Sequence, residues 1–355
     1  MNDASRRQTQ PDTHHMGRLH SLSEHVRKYL IAYTVLSLAV AVPIGYFTQS
    51  FTSANKNLFS NLVIFFAILT IYPSMIQLKT EGLGKSFRSW KPIVASMTYV
   101  FILSPAIAFA VAPTLGSGPI GLGFVTANIV PASSASLGYV LIAGGSIELA
   151  TALAVLSLLV AIPAIPLFLD LYSSHLSATA PVIPIMTSVL YILILPLIAG
   201  QITRYVLHRF RGKQFVGKTI KPHLSLATML SMFALVFVLV DKEASVIISR
   251  PQTVGYIMGY QAGIILGLLL ISLLVSRAIR LSYEEHQSVA FISVTKNQSV
   301  AAAIAVSALS PSAALAPAII PMIQPILAIM YIHLEKHVRS FISGSRKNTQ
   351  AASSL

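Results

Sequence analysis

A run of polar side chains, Thr295-Lys296-Asn297-Gln298-Ser299, interrupts an otherwise apolar segment of the chain between residues 286 and 308. An ammonium group near the centre of a bilayer costs about 2.5 to 3.5 kcal/mol on insertion scales, so an ionisable residue at that depth indicates a functional site. Half of a hydrocarbon core is about 15 Å thick, which is too far for one lysine side chain to reach the surface. Lys296 is therefore the leading candidate for a functional residue.

The composition is typical of a membrane protein with many spans. Hydrophobic residues make up 54% of the 355 residues, charged residues 10%, and the mean hydropathy is +0.73. The absence of cysteine excludes disulfides, thiolate metal ligands and thiol redox chemistry. The net charge of +14 would suit a nucleic-acid partner. Basic residues collected in cytoplasmic loops explain it better, so we expect no nucleic-acid partner.

Stretches of about 20 apolar residues predict ten transmembrane helices. We place these spans near residues 29–48, 58–78, 91–112, 119–143, 147–168, 182–206, 224–240, 252–275, 286–308 and 315–334. The polar residues before the first span, 1–28, show no apolar periodicity and are predicted to form a disordered cytoplasmic tail. Residues 335–355 form a second predicted cytoplasmic tail.

The distribution of basic residues indicates the orientation of the spans. If the N-terminus is cytoplasmic, only Lys56, Lys242 and Arg250 fall in outside loops, and Lys296 falls within a span. The other 21 of the 25 lysines and arginines then lie on the cytoplasmic side. This asymmetry favours a multi-pass protein of the cell membrane with both termini in the cytoplasm.

Ten spans divide into two sets of five, 29–170 and 181–334, and an odd number makes the second set enter the membrane from the opposite side. An inverted repeat is the architecture that follows. The fourth span carries the stretch from Thr126 to Ser136, and its counterpart, the ninth, carries Thr295 to Ser299. Both interruptions fall in mid-span. Broken helices at corresponding positions of two halves are typical of the binding site of a transporter.

The two broken helices supply the candidate binding residues. Half-helix N-termini carry unpaired N–H groups and a partial positive charge, which suit an anion or the oxygens of a polar solute. Taken singly, a proline kink or small-residue packing explains the first interruption equally well, but its pairing with the second favours a site. The candidates for substrate binding are Asn128, Pro131, Ser133, Ser134, Ser136, Thr295, Asn297, Gln298 and Ser299.

The acidic residues bear on the coupling ion. A sodium site needs carboxylate and carbonyl oxygens, and none of the eleven acidic residues falls in the middle of a predicted span. Sodium coupling through a buried carboxylate is therefore disfavoured, and we expect no metal and no cofactor. Because desolvation disfavours a charged amine, Lys296 is instead a candidate proton carrier. We expect it to occupy the position of a coupling cation, with protons as the candidate coupling ion.

Several motifs resemble the bile acid/sodium symporter superfamily, which includes the arsenite-efflux carriers. The stretch Pro131-Ala-Ser-Ser-Ala-Ser136, followed by Gly145, is similar to the Pro-Gly-Gly-Thr-Ala-Ser…Gly stretch of the bile acid branch. Asn297 matches an asparagine common to both branches. Three flanking motifs look like the arsenite branch. They are Tyr72-Pro73, Pro196-Leu-Ile-Ala-Gly-Gln-Ile-Thr-Arg204 and Tyr283-Glu284-Glu285.

This resemblance covers roughly residues 29 to 334 and implies a fold of two intertwined five-helix repeats. A core bundle would carry the broken helices, crossing at the membrane midplane, and would move against a panel bundle. The sequence departs from both branches. Ala132 replaces the cysteine and Ser299 the acidic residue of the arsenite carriers, while Ile292 and Lys296 replace a glutamate and a glutamine of the sodium-coupled branch.

The resulting prediction is a secondary transporter for a small anionic or polar solute, either proton-coupled or uncoupled. Efflux of an arsenite-like oxyacid and transport of an organic anion, such as a bile acid or keto acid, are both open. A membrane sensor is the remote alternative, although no long loop or soluble domain is evident. An enzyme is disfavoured because Tyr331 and His333 have no acidic or second-histidine partner at productive spacing. The oligomeric state cannot be read from the sequence.

Overall fold

The computed structural model describes residues 21–26, 28–78, 89–115, 118–175, 182–212 and 214–342. Within these ranges the regular secondary structure is helical, apart from one isolated antiparallel bridge between Ala132 and Lys296. Seven of the described helices are long and apolar enough to cross a membrane. The protein is therefore an all-helical membrane protein with several spans, as its composition predicts.

We number the helices in chain order. The first seven are α1 (Leu30–Phe47), α2 (Gln49–Ala54), α3 (Lys56–Gln77), α4 (Trp90–Leu115), α5 (Gly118–Ile129), α6 (Ala135–Ile142) and α7 (Ile147–His175). The next six are α8 (Val182–Arg211), α9 (Lys221–Ser249), α10 (Pro251–Ala278), α11 (Tyr283–Val294), α12 (Gln298–Leu309) and α13 (Leu315–His333). Two of them contain a wider π-helical turn in mid-helix, Tyr99–Leu103 in α4 and Leu190–Ile194 in α8.

Seven of the predicted spans correspond to continuous helices of crossing length, and the other three correspond to shorter apolar helices. The span at 29–48 is α1. The span at 119–143 is divided into α5 and α6 by residues 130–134, which we call the first break. The span at 286–308 is divided into α11 and α12 by residues 295–297, which we call the second break.

The predicted tails and domain boundary differ in part from the structure. Residues 21–26 of the tail predicted to be disordered are helical, and residues 1–20 lie outside the described part of the chain. The helix α7 continues to His175, past the predicted end of the first half, and residues 176–181 are not among those described. The second tail is helical at 335–342, where Val338 and Ile342 are buried against the bundle.

The predicted end of the seventh span was wrong. The sequence predicts a helix that ends at residue 240, with the charged residues beyond it, but α9 continues to Ser249. Two of the charges, Asp241 and Lys242, are tolerated there because neighbouring hydroxyl groups bind them. Thr52 Oγ1 donates to the Asp241 carboxylate at 3.2 Å, and Lys242 Nζ donates to Ser60 Oγ at 2.9 Å. Asp241 and Glu243 are therefore buried within a spanning helix, each with 4% of its surface exposed.

The described helices pack into two bundles. In the first bundle, α9 lies between α1 and α3, and α3 packs in turn against the Leu195–Arg211 part of α8. The second bundle contains α4, the two interrupted pairs α5/α6 and α11/α12, and the long helices α7, α10 and α13. The two bundles meet where α12 packs on α3 and where α13 packs on α1 and α9. Both breaks therefore lie in the second bundle, and α12, which begins at the second break, contacts the first bundle.

A glycine allows the closest approach within the first bundle. A Cβ atom at Gly45 of α1 would lie 2.3 Å from the Asp241 carbonyl oxygen and 2.6 Å from the Asp241 Cα. Both atoms belong to backbone and cannot move aside like a side chain. We expect Gly45→Val to lower the stability by about 1 to 3 kcal/mol, the usual cost of overpacking. Thermal unfolding in detergent measures it.

The matched control is Gly259 in α10, where a Cβ atom would meet nothing within 4 Å. We expect Gly259→Val to unfold within a degree or two of the unmodified protein. Equal losses of stability for the two variants would show that α1 and α9 do not approach each other as closely as the structure places them.

Candidate functional site

The two breaks pair with each other as a short antiparallel ladder. The Ser133 backbone N–H donates to the Thr295 carbonyl at 2.8 Å, and the Asn297 N–H donates to the Pro131 carbonyl at 2.9 Å. Ala132 and Lys296 face each other between these two bonds. Backbone groups without a partner are costly away from water, and here each break satisfies the other. The pairing therefore holds the two interrupted helices together at their breaks.

Each break ends at the N-terminus of a half-helix. Ser133 Oγ accepts from the Ala135 N–H at 3.2 Å at the start of α6. Asn297 caps α12, because its Oδ1 accepts from the Val300 N–H at 3.4 Å. Two helix N-termini, each with a partial positive charge, therefore meet at the paired breaks. This environment favours an anion or the electronegative oxygens of a neutral solute.

Lys296 is buried beside this pairing, with 2% of its surface exposed. Its Nζ donates to the Val100 carbonyl at 2.9 Å and lies 5.8 Å from the centre of the Phe101 ring. Val100 belongs to the π-helical turn of α4, and such turns are frequent at functional sites. Within the described residues, Lys296 forms no ion pair with a carboxylate. A carbonyl dipole and a ring face are the groups that compensate its charge.

The sequence reasoning missed Gln324, which holds the second break in place. The Lys296 backbone N–H donates to Gln324 Oε1 at 3.1 Å, and Gln324 Nε2 donates back to the Lys296 carbonyl at 3.2 Å. The amide thus binds both backbone groups of one residue. Gln324 lies in the apolar helix α13, and a polar amide within a predicted span was the signal that could have identified it.

Asn128 is buried, and both the nitrogen and the oxygen of its side-chain amide form hydrogen bonds. Its Nδ2 donates to Gln261 Oε1 at 3.0 Å, and its Oδ1 accepts from Ser104 Oγ at 3.1 Å. Gln261 is the second amide that the sequence reasoning overlooked, and it also lies within a predicted span. Because these bonds occupy both ends of the side chain, Asn128 positions α5 against α4 and α10 and offers little to a solute.

The hydroxyl groups of Ser136 and Thr295 are also engaged internally. Ser136 Oγ donates to the Ser133 carbonyl, and Thr295 Oγ1 donates to the Phe291 carbonyl. Both residues are buried. The structure therefore places them at the breaks but directs their hydroxyl groups to backbone at the helix ends.

Four of the other candidates have polar groups that a solute could reach or bind. Ser134 is exposed and its Oγ lies 3.1 Å from Ser74 Oγ of α3, in the first bundle. Ser133 and Asn297 are half-buried. Gln298 is buried and donates to the Ala127 carbonyl at 3.2 Å, while its Oε1 has no hydrogen-bond partner. The two remaining candidates, Pro131 and Ser299, are buried at the breaks.

Tyr331, which had no partner in the sequence analysis, proves to have a histidine partner. His286 Nε2 lies 2.7 Å from Tyr331 Oη, and His286 Nδ1 lies 2.9 Å from Ser276 Oγ. His286 is fully buried and Ser276 is 1% exposed. A serine and a histidine at this distance resemble a nucleophile and its base, but neither is open to a substrate. The three side chains instead connect α10, α11 and α13.

No group of three or more His, Cys, Asp or Glu side chains that could hold a metal ion occurs among the described residues. The site combines serine hydroxyls, amides, two half-helix N-termini and a buried amine. Two interrupted helices that pair at a polar site within a bundle of spanning helices are typical of membrane transporters.

Comparison with known proteins identifies the family. The model of the Sodium Bile acid symporter family matches residues 61–250, which is more than half of the 355-residue chain. The chain belongs to this family. The matched region includes the first break and ends before the second, so it does not cover Lys296.

A distant relative is the Arsenical-resistance protein Acr3 of Corynebacterium glutamicum. It is 25% identical over 134 residues, which is 38% of this chain and 36% of the relative. The match thus spans about a third of the relative's length.

Proposed function

We propose that the protein is a secondary transporter for a small anionic or polar solute, which it binds at the paired breaks. The pairing of two interrupted helices beside a buried amine carries this proposal. Ser133, Ser134 and Asn297 are the accessible polar residues there, and Gln298 contributes an acceptor without a partner. Membership of a symporter family supports the same class of activity.

We further propose ten membrane spans arranged as two inverted repeats of five, 29–170 and 181–334. The packing supports this arrangement, because corresponding helices of the two halves lie in the same bundle. The first two spans of each half, α1 and α3 with α8 and α9, form the first bundle. The last three spans of each half form the second bundle. Motion of the second bundle relative to the first would alternate access to the breaks.

Two features support an arsenite-like oxyacid as the solute. One is the similarity to an arsenical-resistance protein, and the other is the set of flanking motifs that resemble the arsenite branch. A soft arsenic centre prefers thiolate, and this chain has no cysteine, with Ala132 in the first break. The oxyacid would therefore be held as a neutral molecule by hydroxyl and amide groups. Its hydrogen bonds to Ser134 and Asn297 would replace ligation by sulfur.

An organic anion is the second candidate, and the missing cysteine favours it. The paired N-termini and the amine provide positive potential at the breaks without any carboxylate there to oppose it. A carboxylate or sulfonate group would bind to the half-helix N-termini directly.

Counterflow of labelled solute in vesicles that contain the purified protein tests the transporter proposal. Arsenite, antimonite, pyruvate and taurocholate are the solutes to compare, after a thermal-shift screen of the same four. We expect one of them both to stabilise the protein and to exchange across the vesicle membrane. Specific binding without exchange would instead indicate a sensor.

Ser134 is the most accessible of the candidate residues. We expect Ser134→Ala to weaken binding of the exchanged solute by about tenfold, the loss of one good hydrogen bond, with little change in unfolding temperature. The control is Ser174→Ala, because Ser174 is exposed near the end of α7 and its hydroxyl group bonds only within that helix. Unchanged affinity in Ser134→Ala would remove this residue from the site.

A further inference from the structure

The face that Glu243 occupies on α9 follows from the neighbours of that helix. Gly45 of α1 lies against Asp241, and Lys242 reaches Ser60 of α3, so α1 and α3 cover two sides. Ala227 and Ile248 are exposed and mark the outward side. At about 100° per residue, Glu243 points about 140° to 160° away from that outward side. Its side chain therefore faces the second bundle.

The packing agrees with this direction. Val236 and Val240 share the face of Glu243 by helical spacing and are 2% and 0% exposed. The elements of the second bundle that contact α9 are α13, the short helical turn Pro311–Ala314 that precedes it, and α10, whose residues 251–276 contain no Asp, Glu, Lys, Arg or His. Glu243, at 4% exposure, is thus enclosed between the two bundles.

No group of opposite charge on the opposing elements compensates this carboxylate. Residues 298–330, which include α12, the Pro311–Ala314 turn and most of α13, contain no Asp, Glu, Lys, Arg or His, and neither do residues 30–55. Farther along α13, Tyr331 and His333 lie at the other end of that helix. The adjacent Lys242 interacts electrostatically with Glu243, but its amine donates to Ser60 and makes no salt bridge with this carboxylate. Within the described part of the chain, Glu243 has no hydrogen-bond donor.

The two ends of α9 differ in how tightly the bundles close around them. From Leu235 to Ala244 nearly every residue is buried, whereas from Lys221 to Ala234 only Leu226 and Ser231 are. The packing around α9 is therefore tightest between Leu235 and Ala244. It is looser towards Lys221, and residues 245–249 at the other end are half-buried or exposed. Glu243 lies near the Ser249 end of the tightly packed part, so separation of the bundles at that end would expose it to water.

We propose that Glu243 is a proton-binding site whose occupancy is linked to closure of the two bundles at the Ser249 end of α9. Enclosing a carboxylate that has no hydrogen-bond donor costs several kcal/mol, whereas enclosing the neutral acid costs far less. Closure therefore takes up a proton from water, and opening releases it. The inference rests on the proposed transporter function, in which this step makes protons the coupling ion.

The absence of cysteine allows a direct test by distance measurement. Spin labels at Ile248→Cys in α9 and Ser312→Cys in the Pro311–Ala314 turn report the separation of the bundles at this end. Electron–electron double resonance in lipid nanodiscs gives the distance distribution between about pH 5 and about pH 9, a range that spans the titration of enclosed carboxylates. We expect the ratio of closed to open populations to fall at least about threefold as the pH rises.

In the same labelled protein we expect Glu243→Gln, which is neutral and of the same shape, to remain closed at every pH. Asp241→Asn is the matched control, because Asp241 is equally buried but faces α1 and α2, where Thr48 and Thr52 bind it. It should keep the full response to pH. The inference would be overturned if Glu243→Gln still responded to pH, or if the labelled protein that retains Glu243 showed no response.

This experiment uses no solute, so its result is separate from the transport proposal. A pH response without counterflow would refute transport and leave the proton site intact. Counterflow without a pH response at this end would do the reverse.

Discussion

Replacing the buried amine, Lys296→Gln, is expected to slow counterflow at least about tenfold and to change its dependence on pH. The loss corresponds to about 1.4 kcal/mol, roughly half of the cost of placing a cation at this depth on insertion scales. We expect these effects because, among the described residues, Lys296 supplies the one cation within hydrogen-bond distance of the Val100 carbonyl. Glutamine retains a donor for that carbonyl but carries no charge and no titratable proton.

Two controls separate coupling from folding. Lys91→Gln removes a lysine from the start of the same helix α4, where the amine is exposed and bonds to the Ile279 carbonyl, and should transport normally. The unfolding temperature of Lys296→Gln should be unchanged or slightly higher, since a buried charge is removed. If Lys296→Gln kept both the rate and the pH profile, the amine would have no part in coupling.

Removal of the Gln324 amide, as in Gln324→Leu, is expected to have the second largest effect. Both the N–H and the carbonyl of Lys296 would lose their partner in an apolar environment, at about 1 to 3 kcal/mol for each group. We expect a clear loss of thermal stability together with at least tenfold weaker binding of the solute. Binding is measured by thermal shift or by calorimetry.

The variant Gln324→Glu isolates positioning from stability. It keeps an acceptor for the Lys296 N–H but loses the donor to the Lys296 carbonyl, so the second break is held on one side only. We expect an intermediate stability and a weakened affinity that Gln252→Leu, an exposed substitution on α10, does not reproduce. Normal affinity in a folded Gln324→Glu would contradict a positioning role.

The local sequence indicated where the chain is interrupted because the interruptions have local causes. Pro131 has no N–H to donate, and Asn297 is a preferred N-cap residue, so a helix ends or begins beside each of them. The polar run around Lys296 is unusual within an apolar segment and was visible without any knowledge of the partner. That the two breaks pair with each other depends on residues far apart in the chain, which no local pattern specifies.

The end of α9 could not be predicted for the same reason. The sequence Asp241-Lys242-Glu243 indicates a loop when it is considered alone, because charges are costly in a bilayer. Hydroxyl groups of Thr52 and Ser60, nearly 200 residues earlier, bind Asp241 and Lys242 and so allow the helix to continue. The prediction that no carboxylate lies within a span failed at Asp241 because a local sequence pattern does not show these tertiary partners.

The orientation of side chains was the third limit. Ser136 and Thr295 were predicted as binding residues by their type, but their hydroxyl groups bond to carbonyls of their own segments. Serine and threonine commonly do so near helix ends, where the backbone offers free acceptors. Only coordinates distinguish these residues from Ser134, which is exposed and whose hydroxyl group lies beside Ser74 of another helix.

Electron cryomicroscopy of the protein with the solute that supports counterflow tests the central claim most directly. The account predicts density for the solute within hydrogen-bond distance of Ser134, Asn297 or Gln298 Oε1, beside a second break that remains paired with the first. A solute bound away from both breaks, or a helix that runs unbroken from residue 283 to residue 309, would contradict it.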